Sequence, residues 1–415
     1  MADSARSISI DDYDYDLPDD RIARYPLADR AAARQLHFKD GKISERPFGE
    51  LPEVLPEGTL LIGNQTRVIH ARLHFPIGEG KRPVEIFCLD PLAPHDYALS
   101  LGAVAQVQWK CLIGGNRRWK QGALELPLEV AGRPVTLRAT RQERLDNAFS
   151  VTFSWESDQT ISFGEVLAAA GTIPLPPYLG RQAEASDAQR YQTVFAKEEG
   201  SVAAPTAGLH FTPAVLEAIG RRGIRWRELT LHVGAGTFKP VSSETLGDHT
   251  MHREFFTVSR SLVASLAEQL AAGHPIVSVG TTSLRCLESL FYLGAKHFRG
   301  ELTEVRGPVF VDQWVTEQDT LSAVSTSDAL RSLLALMDNN QLEELSGYTQ
   351  LLLTPATRLR VADGIITNFH QPRSTLLLLV ATLVGDAWRN IYRYALDNDF
   401  RFLSYGDSSL LWKNR

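Results

Sequence analysis

Little in this sequence supports a disulfide framework, a zinc knuckle or a membrane span. There are three cysteines in 415 residues: Cys88, Cys111 and Cys286. The number is odd, the spacings are wide and no CxxC occurs, which argues against the first two. The longest strongly apolar run, TLLLLVATLV at 375–384, covers about half of the roughly 20 residues that a span needs, so it reads as a buried helix. Positive charge is not in excess either. The chain has 43 Lys and Arg against 49 Asp and Glu, a net charge of −6. That argues against a general nucleic-acid coat, although phosphate contact depends on where the basic residues lie. Internal repeats and low-complexity tracts are missing. The acidic opening MADSARSISIDDYDYDLPDD has no apolar core of the secretory kind, so the cytosol is the expected compartment. The first ten residues read as a disordered leader.

What is present is an ordinary globular composition, 44% apolar and 22% charged. The length suggests roughly two or three domains. Residues 58–73 (GTLLIGNQTRVIHARL) read as strand, polar turn, strand. Short β-type runs then follow one another at 84–89, 103–112, 122–130, 135–139 and 150–155, with turn signals between them. That spacing predicts a small all-β barrel or sandwich. From about 163 strands alternate with helices. Ser162 caps a helix over 163–170, and Thr212-Pro213 opens another that Gly223 ends. IPLPPYLG at 173–180 reads as a stiff, extended linker. Strands are expected at 228–233, 276–279 and 364–368, and helices at 261–272, from 284 and from about 374. The expected fold is an α/β (α+β) main domain with a mixed sheet, made of residues 11–72 and 156–415, plus a small inserted all-β barrel at 73–155. Residues 311–348 hold one clear helix, 328–337, in a stretch that otherwise reads as a surface excursion.

Polar clusters recur just after strand-like runs: Thr206–His210, His232–Thr237, Gly280–Arg285 and Thr367–His370. In open α/β sheets ligands bind at the carboxyl ends of strands, so four such clusters converging there make one site; taken singly, each is also an ordinary turn. GTTS before a helix suits an anion or carboxylate cradle, because hydroxyls and free N–H groups point the same way as the helix dipole; a plain N-cap is the other reading. VGAGT at 233–237 lacks the GxGxxG spacing of a dinucleotide fingerprint, though its glycines allow close backbone approach to a ligand. HTMHRE at 249–254 sets two histidines beside a carboxylate, which fits proton transfer, substrate contact, structural hydrogen bonding or metal ligation; it is not HExxH. Arg67 ends a polar turn, and Tyr405 and Asp407 are either acid/base groups or turn residues. Two basic stretches with an aromatic, RRWK at 117–120 and RRGIRWR at 221–227, suit RNA phosphates and equally suit a solvated face.

At these residues the chain resembles the S-adenosylmethionine:tRNA ribosyltransferase-isomerase family of queuosine biosynthesis. The matching stretches are LPDDRIARYPLADR (17–30), NQTRVIHARL (64–73), IPLPPYLGR (173–181), RYQTVFAKEEGSVAAPTAGLHFT (190–212), LTLHVGAGTFKPV (229–241), DHTMHREFF (248–256), VGTTSLRCLES (279–289), ITNFHQPRSTLLLLV (366–380) and FRFLSYGDSSLL (400–411). The resemblance implies a larger α/β domain carrying a small β-barrel. It implies an enzyme that moves and isomerises the ribosyl part of S-adenosylmethionine onto 7-aminomethyl-7-deazaguanine in tRNA, releasing adenine and methionine. The sulfonium compound is then a consumed substrate, with no cofactor and no metal; the partners are S-adenosylmethionine and a tRNA bearing a deazaguanine base, with no membrane and a monomeric state.

That chemistry needs a base at the ribose C5′, an acid for the departing adenine, and N–H or cationic groups for the methionine carboxylate. The proton-transfer candidates are His210, His232, His252, Glu254, His370, Tyr405 and Asp407. The binding candidates are Arg67, Thr206, Gly208, Gly234, Gly236, Thr281, Thr282, Ser283, Arg285 and Asn368, with Arg285 expected on the substrate itself. The chain also departs from the family pattern. The turn usually written FNDTRVIPARL reads GNQTRVIHARL at 63–73, the aromatic YPG segment is TPATR at 354–358, and 311–348 looks like an insertion of about 30 residues. These departures raise two rivals: a paralogue with another acceptor, and a non-catalytic RNA-binding protein on the same fold. The several titratable residues in loops argue against the second.

Overall fold

The computed structural model describes residues 5–234, 236, 241 and 243–414. Its centre is a ten-stranded mixed sheet. In spatial order the strands are Val309–Val311, Glu344–Thr349, Glu254–Ser259, Arg225–Leu231, Leu60–Asn64, Ile276–Val279, Gly364–Asn368, Ser408–Trp412, Arg34–Lys39 and Lys42–Pro47. The four central strands, from Arg225–Leu231 to Gly364–Asn368, are mutually parallel. Three of them, LLIGN, IVSV and GIITN, are buried along their whole length, whereas Arg225–Leu231 is buried only at its carboxyl end. Their carboxyl ends therefore open on one side of the sheet.

The predicted caps form. Ser162 makes a full capping box with Glu165 at the start of Phe163–Ala170. Thr212 caps Pro213–Arg221, and Ser374 caps Thr375–Val384. Helix Arg260–Ala272 runs from the Ser259 cap to Gly273, which sits at φ 69° where a side chain would be strained.

The second unit is a seven-stranded antiparallel sheet curled into a half-barrel. It contains all five strands expected between 84 and 155, now at Val84–Ala93, Gln106–Gly114, Leu124–Val130, Arg133–Leu145 and Ala148–Glu156. Arg72–Phe75 and Gly171–Thr172 complete it at one edge. Helix Phe163–Ala170 packs Phe163 against Trp109, Phe153 and Trp155, giving this unit its own core.

Three expectations change. The leader is ordered from Ala5: Ser9 caps a short turn, and Ile10 is fully buried with Leu246, Met251 and Leu378, because one large apolar side chain fills a gap at the domain edge. Residues 1–4 lie outside the described residues. The proline-rich 173–180 is more than a linker. Ile173, Leu175 and Leu179 are buried against Tyr191, Leu209 and Tyr405. The stretch 311–348 is no surface excursion. It supplies Glu344–Thr349 to the main sheet and helix Thr326–Asn339, capped by Ser325. The repeat of Leu330, Leu333, Leu336 and Met337 gives that helix an apolar face, fully buried beside helix Thr281–Phe298. The two helices approach so closely that a Cβ on Gly294 would fall 2.0 Å from the Ala329 carbonyl oxygen. Among the described residues no helix is long and apolar enough to cross a membrane.

Candidate functional site

The carboxyl ends of the central strands surround a cavity that opens to solvent. Thr206, Val233, Gly280, Thr281, Thr282, Asn368 and His370 line it, so all four polar clusters reach it. Ala235 and Thr237 of the VGAGT stretch lie outside the described residues. Tyr178, Tyr191 and Ser404 form another wall, with the Tyr178 hydroxyl 2.6 Å from Ser404 Oγ. Both tyrosines stand within stretches that carried the family resemblance, but neither was marked as a site residue. The usable signal was an aromatic ring held by a proline-fixed segment.

The GTTS cradle is open. Gly280 (φ 89°) is the N-cap of helix Thr281–Phe298, and no side chain caps it. The first N–H groups of a helix have no partner within it, so those of Thr281, Thr282 and Ser283 are donors beside the cavity. The hydroxyls of Thr282 and Ser283 are buried and have no partner among the described residues. The plain-cap alternative fails here, because the hydroxyls do not cap.

A line of hydrogen bonds crosses from the opposite wall. Thr206 Oγ1 donates to Asn368 Oδ1 at 3.0 Å, and Asn368 Nδ2 stands 3.3 Å from His210 Nε2. Burial pushes the His210 imidazole down to about 4, so it is neutral near pH 7 and Nε2 accepts. His370 is pushed down to about 3 for the same reason, with Nε2 3.0 Å from Thr367 Oγ1. Neither is a cationic acid at neutral pH.

His252 and Arg285 line a smaller recess that shares Thr375 and Leu376 with the main cavity. Here Arg285 Nη1 donates to Glu254 Oε2 at 2.6 Å, and Glu254 Oε1 lies 3.2 Å from His252 Nε2. The Glu254 side chain is sealed from solvent, while that of His252 is 32% exposed. Its ring rests on Gly236, where a Cβ would come within 2.6 Å of Nδ1. Arg285 also donates through Nε to the Leu351 carbonyl at 3.2 Å. Two of its nitrogens are committed to the protein, and buried Nη2 lacks a partner among the described residues.

Other candidates sit elsewhere. His232, pushed down to about 4 by burial, stacks on Tyr97 with ring centroids 4.3 Å apart, and its Nδ1 is 3.0 Å from Thr66 Oγ1. It links the two units behind the cavity. The Tyr405 hydroxyl donates to Asp187 Oδ1 at 2.9 Å. Asp407 accepts the backbone N–H groups of Arg34 and Arg401 at 3.0 and 2.8 Å and pins two chain segments together. Arg67 is exposed, 3.8 Å from Glu199, in a broad groove away from the cavity. Gly208 is a packing position, since a Cβ there would meet Phe195 at 2.7 Å. Gly234 has open space where a side chain would be.

The departures from the family turn face the scaffold. At Gly63, where the family has an aromatic ring, a Cβ would lie 2.4 Å from Trp226 Cζ2, so an aromatic from another strand fills the space. Gln65 donates to Thr230 Oγ1 at 3.1 Å, and His70 Nδ1 is 3.0 Å from the Ala168 carbonyl oxygen. None of the three lines the cavity.

A family model described as "Queuosine biosynthesis protein" matches residues 10–411. The chain is 37% identical over 414 residues to the S-adenosylmethionine:tRNA ribosyltransferase-isomerase of Aromatoleum aromaticum, covering 98% of each. It is 36% identical over 409 residues to that of an Azoarcus species, covering 98% of this chain and 99% of the relative. A crystal structure of S-adenosylmethionine tRNA ribosyltransferase from Thermotoga maritima matches with 26% identity and a TM-score of 0.45, over 96% of this chain and 99% of that one.

Proposed function

Because the chain belongs to the queuosine biosynthesis family of S-adenosylmethionine:tRNA ribosyltransferase-isomerases, we propose that it transfers and isomerises the ribosyl part of S-adenosylmethionine onto 7-aminomethyl-7-deazaguanine in tRNA. The product is epoxyqueuosine, and adenine and methionine leave. The observation that carries this reading onto particular residues is the cavity at the strand ends, with its uncapped helix start and its adjoining His252–Glu254–Arg285 line.

The sulfonium acidifies the neighbouring C5′–H, and His252 is the base that takes this proton. Glu254 holds the imidazole by hydrogen bond and stabilises the imidazolium that forms. Arg285 holds the Glu254 carboxylate by a charged hydrogen bond in a site sealed from water, so it is a positioning residue. The methionine carboxylate lies on the N–H groups of Thr281–Ser283 with the Thr282 hydroxyl, at the positive end of an 18-residue helix. Thr206 and Asn368 hold the ribose hydroxyls, with neutral His210 fixing the Asn368 amide. The domain of the ten-stranded sheet carries this chemistry, and the inserted unit extends beyond the expected 73–155, because helix Phe163–Ala170 shares its core and Gly171–Thr172 its sheet.

The test is release of adenine and methionine from S-adenosylmethionine, with and without tRNA bearing the aminomethyl-deazaguanine. Release that depends on this tRNA is expected. Binding of S-adenosylmethionine with no release would refute the assignment and move the search to another acceptor.

A further inference from the structure

The two basic stretches are treated differently by the fold. In 221–227, Arg221 pairs with Glu217 at 2.7 Å, Arg225 faces Glu268 and Gln269, and Arg227 donates to Ser265 Oγ. Its aromatic, Trp226, packs against Phe195 and Phe211. Arg222 is exposed, and the rest of that stretch is held by partners of the main domain. The stretch 117–120 stands at the tip of the half-barrel. Pairing of Phe75 with Val84 and of Glu85 with Gly114 brings the connections 76–83 and 114–121 to the same end of the sheet. Arg118 Nη2 donates across to the Pro83 carbonyl at 3.0 Å.

We propose that this tip is a docking surface for the phosphate backbone of the tRNA, away from the nucleotide being modified; the inference rests on the function proposed above. Lys81, Arg82, Arg117, Arg118 and Lys120 are all exposed there, against exposed Glu79 and a half-buried Glu85 that lies against Arg72 and His74. None of the five pairs with a carboxylate among the described residues. The adjoining turn 141–147 is balanced, with Arg141 and Arg144 against Glu143 and Asp146. Such a concentration stands out on a chain of net charge −6. The 114–121 connection is anchored through Trp119. Trp119 is buried, donates to the Gly122 carbonyl at 2.9 Å and lies under Arg141. Its neighbours are thereby presented outward without the ordering cost of a free loop.

The position also fits. Strand Val84–Ala93 runs from the tip to Asp90, which accepts the Tyr97 hydroxyl at 3.0 Å, and Tyr97 stacks on His232 beside the cavity strands. Six residues of strand span about 20 Å. A nucleoside in the cavity cannot reach the tip, whereas an RNA extending from it can. Phosphate contacts of this kind position the RNA without reading its sequence.

The experiment compares the wild type with two variants, Arg117→Gln/Arg118→Gln/Lys120→Gln and Lys81→Gln/Arg82→Gln/Arg117→Gln. The second leaves the Arg118 bridge and Trp119 in place. Binding of tRNA is measured across salt concentrations, and binding of S-adenosylmethionine by calorimetry. Expected are a roughly ten-fold weaker tRNA affinity near physiological salt and a salt slope shallower by about one for each lost phosphate contact, with S-adenosylmethionine affinity unchanged. Wild-type tRNA affinity and slope in both variants would overturn the docking surface while leaving the proposed reaction intact. Loss of binding to anionic vesicles, with tRNA binding unchanged, would also overturn it and assign the tip to a membrane surface. If the wild type itself releases no adenine with the tRNA, the reading beneath the inference falls and the inference with it.

Discussion

Arg285 holds Glu254, which meets His252; Arg181 holds Asp187, which meets Tyr405. Both carboxylates are buried, and both trios join segments distant in sequence. The difference lies at their ends. Asp187 takes two guanidinium nitrogens at 2.7 and 2.8 Å, the Glu184 N–H at 2.8 Å and the Tyr405 hydroxyl, and Tyr405 is 4% exposed. That trio closes on itself. Burial, with Asp187 beside it, pushes the Tyr405 hydroxyl well above its ordinary range, so it keeps its proton. The Glu254 trio ends instead on a partly exposed imidazole in a recess next to a cavity, with one arginine nitrogen unpartnered among the described residues. The same residue types make a brace in one place and a proton-transfer line in the other. Exposure of the last member decides which.

The contrast is broken most directly by His252→Ala. Loss of a positioned base lowers turnover by about 10²–10⁴-fold, while the thermal midpoint stays near wild type. Turnover within a few-fold of wild type would remove His252 from the chemistry. Asp187→Ala tests the brace. Removing one partner of a buried pair costs about 3–5 kcal/mol of stability, measured by urea unfolding. A variant as stable as the wild type would show that the Arg181 network is not a brace.

The buried histidines extend the comparison to pH. His210, His232 and His370 sit at about 4, 4 and 3 in the fold, below the ordinary 6.5. Below pH 6.5 the unfolded chain takes up protons that the folded chain refuses. Stability therefore falls as pH drops from about 6.5 toward 4, by about 1.4 kcal/mol per pH unit for each histidine. Above 6.5 these groups add no slope. In His370→Gln the fall between pH 7 and 5 is shallower, and a slope identical to wild type would contradict the buried neutral state. The smallest effect belongs to Thr282→Val. This hydroxyl has no partner among the described residues, so stability is unchanged or slightly raised. S-adenosylmethionine binding weakens by about 1 kcal/mol, the net worth of a typical hydrogen bond. Undiminished affinity by calorimetry would take Thr282 out of the cradle.

Much of this was legible in the chain because it depends on near neighbours. Ser162, and Thr212 with Pro213, mark helix starts within a few residues, where hydrogen bonds form locally. The strand runs of the half-barrel and the four polar clusters were readable for the same reason. The fold decided what depends on partners far along the sequence. Asp407 and Tyr405 look like catalytic groups until Arg34 and Arg401 are found on one and Asp187 on the other. Only the fold shows that Glu254 takes one arm of the Arg285 guanidinium. Gly63 looks like a lost contact until Trp226 arrives from a neighbouring strand. A carboxylate, an arginine and a histidine each carry several possible roles. Burial and the donor that lies opposite choose among them, and both are set only when distant segments pack.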